Sequence, residues 1–204
     1  MEATKLYLVR HGETEWNAGG RFQGHSDVPL SNFGRQQAER LALSLKQTKI
    51  DAFYSSDLSR AMETAQIIVK EHGTQVNYLP DLREINFGVW EGLTYDQISQ
   101  NYGNLSVQWR SNPLDTQIPH GEKLQDLAER CQRAINEIIN QHAGENVLVA
   151  SHGGVIRVIV ANALGFDLNH FWKLRLDNVS LTVLEYYGQQ KAILELFNDT
   201  CHLK

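Results

Sequence analysis

Two periods of apolar positions alternate along this chain. Leu6-Tyr7-Leu8-Val9 is a short continuous apolar run, β-branched at its end, as expected of a strand buried on both faces of a parallel sheet. Asn146 to Ser151 and Ala52 to Ser56 have the same character, and Val76 to Leu79 predicts a further strand. Between them the spacing turns helical. Ser31 is an N-cap for a helix with the stripe Ala38, Leu41, Ala42 and Leu45. Asp57 is expected to cap a second helix, whose face carries Leu58, Ala61, Met62, Ala65, Ile68, Val69 and His72. The clearest stripe starts at Leu124 and runs through Leu127, Ala128, Cys131, Ile135, Ile138, Ile139 and His142, with Gly144 as its stop. It puts Cys131 in the core as a small hydrophobe. Gly153 to Leu164 predicts a last helix, stopped by Gly165. Val179–Tyr186 and Ala192–Phe197 flank Gly188-Gln189-Gln190 and read as a hairpin.

Strands alternating with helices predict an α/β fold of three layers, α/β/α. The central sheet is mostly parallel, closed by a C-terminal antiparallel hairpin. The 204 residues are expected to form a single domain. Thr94 to Glu122 is its least regular stretch. Thr94 and Gln97 have capping-box spacing, but Trp109, Pro113 and Pro119-His120-Gly121-Glu122 predict an irregular insert over the site.

Composition narrows the classes. A formal net charge of −5 argues against a nucleic-acid footprint. Cys131 and Cys201, the only cysteines, have no pair spacing, so neither a disulfide scaffold nor a thiolate metal site is expected. His25, His120, His142, His170 and His202 lack metal-ligand spacing, and neither a metal nor a cofactor is predicted. Met1-Glu2-Ala3-Thr4-Lys5 lacks signal-peptide features. The richest apolar run, Gly154 to Leu164, is too short to span a membrane and contains Arg157. A cytoplasmic location is expected. Composition leaves the oligomeric state open.

The chemistry lies where strands end. Strand one runs into Arg10-His11-Gly12, and the strand ending at Ser151 runs into His152-Gly153-Gly154. Ligands of open α/β sheets bind beyond these carboxyl ends. Arg60 falls in the first turn of a helix, where the macrodipole disfavours a cation unless an anion sits between them. Its alternative is a surface pair with Asp57 or Glu63. Two guanidiniums, two imidazoles and a helix N-terminus converging at one edge describe a site for a dianion such as a phosphoryl group.

Four stretches together resemble the histidine phosphatase superfamily, with the phosphoglycerate mutase-like fold. They are Arg10-His11-Gly12-Glu13-Thr14, Ser55-Ser56-Asp57-Leu58-Ser59-Arg60-Ala61, Arg83 to Gly92, and Ser151-His152-Gly153-Gly154. The resemblance implies that His11 is a nucleophile that becomes phosphohistidine. It implies that Arg10, Arg60 and a protonated His152, with the Gly153 N–H, hold the phosphoryl group, and that Glu84 is the acid and base. Glu91 is a rival for that role. Asn17 matches a position that adds a hydrogen bond to the phosphoryl group, although it also reads as a turn residue. Phe22, Gln23, Gly24, Tyr95 and Trp109 are candidate lining of a substrate pocket. The implied activity is metal-independent hydrolysis of small phosphorylated metabolites. The alternative is a cofactor-dependent phosphoglycerate mutase. Against it, mutases carry Arg-His-Tyr-Gly where this chain has Glu84-Ile85-Asn86-Phe87-Gly88, and the insert offers only Arg110 and Lys123 to grip a carboxylate. The ending, Asp177 to Thr182 and Asn198 to Leu203, is similar to α-ribazole phosphatases of cobalamin assembly.

Overall fold

The computed structural model describes residues 2–189 and 191–204. Its described residues form a six-stranded sheet in the order β3-β2-β4-β1-β5-β6. These strands are β1 (Thr4–Arg10), β2 (Ala52–Ser55), β3 (Val76–Tyr78), β4 (Asn146–Ser151), β5 (Leu181–Tyr186) and β6 (Ala192–Asp199). Strands β3, β2, β4 and β1 pair in parallel, while β5 runs antiparallel to β1 and to β6. The predicted three-layer fold and hairpin are therefore both present. Gln190, one of the residues expected between the two hairpin strands, lies outside the described residues.

Alternation along the strands serves two layers at once. Leu6, Leu8, Val147 and Val149 join one core with α5 (Leu124–Gln141) and α6 (Gly153–Leu164). Val9, Phe53, Leu148 and Ala150 join the other with α2 (Asn32–Leu45) and α3 (Ser59–Val69). Neighbouring side chains point to opposite faces, so a strand covered on both sides is apolar throughout. The register sets Arg10 beside Ser151 and Ser55 beside Ala150, so the polar junctions open at one edge. Gly12 is needed there, since a Cβ would sit 2.5 Å from the carbonyl oxygen of Gly34.

After β1, Thr14 and Asn17 form a capping box around α1 (Glu15–Ala18). The structure corrects two expectations. Asp57 does not cap α3. It forms a two-pronged pair with Arg83, at 2.7 and 2.6 Å, and the free Ser59 N–H donates instead to Asp27 Oδ1 at 2.8 Å. An N-terminal N–H takes whichever acceptor the fold brings near, and here that acceptor is distant in sequence. The insert is irregular only after Ser111, where a 3-10 turn at Pro113–Asp115 is the one regular piece. Its Thr94–Gln97 capping box starts a 17-residue helix, α4 (Tyr95–Ser111), kinked at Gly103 where φ is 32°. Ile98 and Trp109 tie this helix into the α5–α6 core.

Candidate active site

A cavity of about 230 Å³ opens beyond the carboxyl ends of β1 and β4. Arg10, His11, Asn17, Gln23, Gly24, Arg60, Glu84 and Gly153 line it, all of them anticipated from sequence. A second cavity of similar size shares Phe22 and Trp172 with the first and is lined also by Trp90, Tyr95, Ile98, Trp109 and Arg110. The candidate pocket residues thus divide. Gln23 and Gly24 lie against the polar cavity, Tyr95 and Trp109 against the aromatic annex, and Phe22 between the two.

His11 is buried, and its ring Nδ1 lies 2.7 Å from the carbonyl oxygen of Gly12. A carbonyl only accepts, so Nδ1 carries the hydrogen and Nε2 keeps a free lone pair. Burial first, then the charges of Arg60 and Arg10, hold His11 well below the ordinary histidine pKa. The imidazole is therefore neutral and nucleophilic at physiological pH.

His152 stands beside it, ring centroids 5.2 Å apart. Its Nε2 is 2.8 Å from Ser56 Oγ, which also accepts the Leu58 N–H at 3.3 Å. In the tautomer in which the hydroxyl hydrogen goes to Nε2, Nδ1 is an N–H donor. That Nδ1 is buried and without a partner among the described residues. Burial, then the charges of Arg60 and His11, push the His152 pKa far down, which disfavours the protonated form expected from sequence. A neutral imidazole still offers one donor. A phosphoryl dianion between the two rings would pull its pKa back up.

Both arginines are anchored by carbonyls, not by carboxylates. Arg60 is fully buried and donates to Ser26 O at 2.9 Å and Gly24 O at 2.7 Å. Its surface alternatives are engaged elsewhere, Asp57 with Arg83 and Glu63 with Arg35. Arg10 donates to Leu176 O at 2.6 Å. The Nε atoms of Arg10 and Arg60 have no partner among the described residues. Burial lowers both pKa values, that of Arg60 to about 10, which leaves both groups charged at neutral pH. Buried cations without counter-ions are costly unless an anion joins them. The N-terminus of α6 at Gly153 adds a partial positive charge on the same side.

The two glutamates separate clearly. Glu84 lines the cavity, accepting from the Gly154 N–H at 3.1 Å and the Ile85 N–H at 3.0 Å. Glu91 is not part of that lining. Its carboxylate accepts from the backbone N–H groups of His25, Ser26 and Phe87 and from the Ser26 hydroxyl, and so latches two loops together. Asn17 lines the cavity, and its Oδ1 accepts from the Thr14 N–H in the α1 capping box.

The sequence profile of the histidine phosphatase superfamily (branch 1) matches residues 6–200. The chain belongs to this superfamily. Among its relatives, phosphoglycerate mutase-like protein 4 of Arabidopsis thaliana is 39% identical, over 100% of this chain and 89% of its own. Phosphoserine phosphatase 1 of Hydrogenobacter thermophilus is 35% identical, over 98% of this chain and 94% of its own. The crystal structure of the α-ribazole phosphatase from Shigella flexneri superposes with a TM-score of 0.86 at 28% identity, covering 96% of each chain. Histidine phosphatase superfamily members with these names include both phosphatases and mutase-like proteins.

Two arginines of this superfamily member were not singled out from its sequence. Arg157, in the second turn of α6, lines the polar cavity. Arg130, from α5, clasps Glu122 at 2.6 and 2.9 Å and donates to the carbonyls of Asp81, Arg83 and Glu84. It thereby fixes the turn that presents the Glu84 carboxylate. The signal for Arg157 was present, as a lone charge inside an otherwise apolar helix is unusual unless it is buried for a purpose.

Proposed function

We propose that this chain is one domain, 1–204, with α4 and the turns after it set over the site, and that it hydrolyses small phosphomonoesters through phosphohistidine at His11. The observation that carries the reading is the Nδ1–Gly12 bond, which leaves Nε2 of the cavity-lining His11 free beside two guanidiniums whose Nε atoms have no partner among the described residues. Nε2 attacks phosphorus and the P–O bond to the leaving alcohol breaks. Arg10, Arg60, the Gly153 N–H and His152 take up charge on the equatorial oxygens. Glu84, as the carboxylic acid, gives its proton to the leaving oxygen. As the carboxylate it then takes one from the water that opens the phosphohistidine. Glu91 is unsuited to this work, because four hydrogen bonds already hold its carboxylate. Cys131 is buried, and Cys201 is exposed and unpaired, in keeping with a reducing, cytoplasmic setting.

Hydrolysis is favoured over mutase chemistry by the segment after Glu84. Ile85 is fully buried and Asn86 lines neither the polar cavity nor the aromatic annex, so neither is offered to a substrate carboxylate. The relatives named as phosphatases support the same side. For the substrate, the aromatic annex gives room to a planar or apolar leaving group. α-Ribazole 5′-phosphate is the compound the chain ending and the Shigella flexneri relative put forward.

The test is a trapping experiment joined to a substrate panel of phosphoserine, 3-phosphoglycerate, α-ribazole 5′-phosphate and p-nitrophenyl phosphate. Acid-labile, base-stable phosphate is expected on the wild type during turnover and not on His11→Ala. The variant's rate should fall below about 1%. Phosphate release should outrun 2- to 3-phosphoglycerate interconversion in the same sample, even with 2,3-bisphosphoglycerate as primer. A substantial residual rate in His11→Ala overturns the nucleophile, and faster interconversion overturns the reaction class.

A further inference from the structure

The polar cavity holds more fixed positive charge than a phosphoryl group requires. Arg10, Arg21, Arg60 and Arg157 line it, and Glu84 is the only carboxylate among the lining residues. Arg10 and Arg60 match a phosphoryl dianion. Glu84 must be protonated to act as an acid, and Arg21, at the exposed rim, donates to Gly92 O at 2.6 Å. Arg157 is left over.

It is held in place as a binding group would be. Its Nε donates to Leu174 O at 2.7 Å, and its guanidinium lies 5.3 Å from the ring centroids of both Phe171 and Trp172. No described carboxylate forms an ion pair with it, and neither terminal nitrogen donates to a described residue. Helical side chains lean toward the N-terminus, so Arg157 reaches back along α6 to its first residue. A Cβ placed on Gly153 would lie 3.3 Å from Arg157 Nη1 and 3.6 Å from Arg10 Nε. The spare cation therefore stands next to the phosphoryl clamp.

We propose that Arg157 binds a second anionic group of the substrate, a carboxylate or a second phosphoryl, carried close to the ester oxygen. The inference rests on the reading of this cavity as a phosphomonoester site and narrows its substrates. Esters with only one anionic group, α-ribazole 5′-phosphate included, make no use of Arg157. The cations missing from the α4 insert are supplied instead from α6. Burial, and then repulsion from Arg10, lower the Arg157 pKa to about 10, as expected of a cation whose partner comes from the ligand.

The experiment measures binding in the absence of turnover. In a His11→Ala background, calorimetry compares 3-phosphoglycerate with glycerol 3-phosphate, which differ by a carboxylate against a hydroxymethyl group. Fructose 1,6-bisphosphate against fructose 6-phosphate tests a second phosphoryl. The doubly anionic member of at least one pair should bind about tenfold more tightly or better, and the pair that shows it identifies the group. Arg157→Gln should bring that ratio below about threefold, and Arg157→Lys should restore part of it. No preference in the parent overturns the proposal, on a folded protein and whatever the variants do. Equal weakening of both members by Arg157→Gln also overturns it, since that marks a role toward the shared phosphoryl group or the scaffold. A retained preference without any turnover in the wild type rejects the phosphatase reading alone, and turnover without a preference rejects this one alone.

Discussion

A methyl group added at Gly154 tests whether the acid works from where the structure holds it. A Cβ there would overlap Glu84 Oε1 and lie 3.2 Å from Glu84 Cδ, while Ile85 Cγ2, at 3.5 Å, is an ordinary contact. The clash is with the far end of a flexible side chain, so the carboxylate moves and α6 does not. Gly154→Ala should then lose the 3.1 Å bond from the Gly154 N–H to Oε2. A hydrogen bond to a charged group contributes about 1.5–3 kcal/mol, and replacing glycine by alanine in a helix returns up to about 1 kcal/mol. The net loss of stability should be about 1–2 kcal/mol, a Tm decrease of a few degrees for a chain of this size. Catalysis should suffer selectively. Positioned proton transfer contributes about 10²–10⁴ in rate, and a displaced carboxyl keeps part of it, so kcat/KM for an alkyl ester such as glycerol 3-phosphate should fall about 10²-fold. With p-nitrophenyl phosphate, whose leaving group needs no proton, the loss should stay below about threefold. Steady-state rates on the two substrates, with thermal melts as the control, decide the matter. Equal losses, or none, would refute the acid role argued for Glu84.

Four further outcomes follow from the same geometry. His11 and His152 are both buried with lowered pKa values, so the unfolded chain binds more protons than the folded one below the ordinary histidine pKa near 6.5. Stability should be complete above that pH and decline as pH falls through it, by up to about 1.4 kcal/mol per pH unit for each histidine; denaturant titrations from pH 7.5 to 5 measure the slope. Inorganic phosphate should offset much of this loss by pairing with the buried cations, which melts with and without phosphate would record. Arg130→Ala should cost about 3–5 kcal/mol by leaving Glu122 and three carbonyls without their donor, and should lower turnover by loosening the Glu84 turn. Dialysis against EDTA should leave turnover intact, because guanidiniums supply the charge that a metal would; loss restored by a divalent ion would contradict this.

Much of the fold was already determined by local pattern. Continuous apolar runs at Leu6–Val9 and Val147–Ala150 suit strands covered on both faces, and the stripe from Leu124 to Ile139 suits a helix packed along one side, as the fold has them. Arg10-His11 and His152-Gly153 follow such strands directly, so their position at the sheet's edge required nothing beyond chain continuity. Tertiary structure decided what depends on residues far apart in sequence. Asp57 was free to cap α3 until Arg83 came within 2.6 Å, and Asp27 took over the helix N–H. Glu84 and Glu91 are alike in sequence and differ only because the fold gives one a place in the cavity and surrounds the other with donors. The charge state of His152 is a property of burial among three guanidiniums, which no local segment encodes. Arg157 was legible as an oddity in an apolar helix, but its use became visible only when α6 turned that side chain toward Arg10. Local sequence fixes backbone form through short-range sterics and periodicity, whereas electrostatics and desolvation are set by everything that packs around a group.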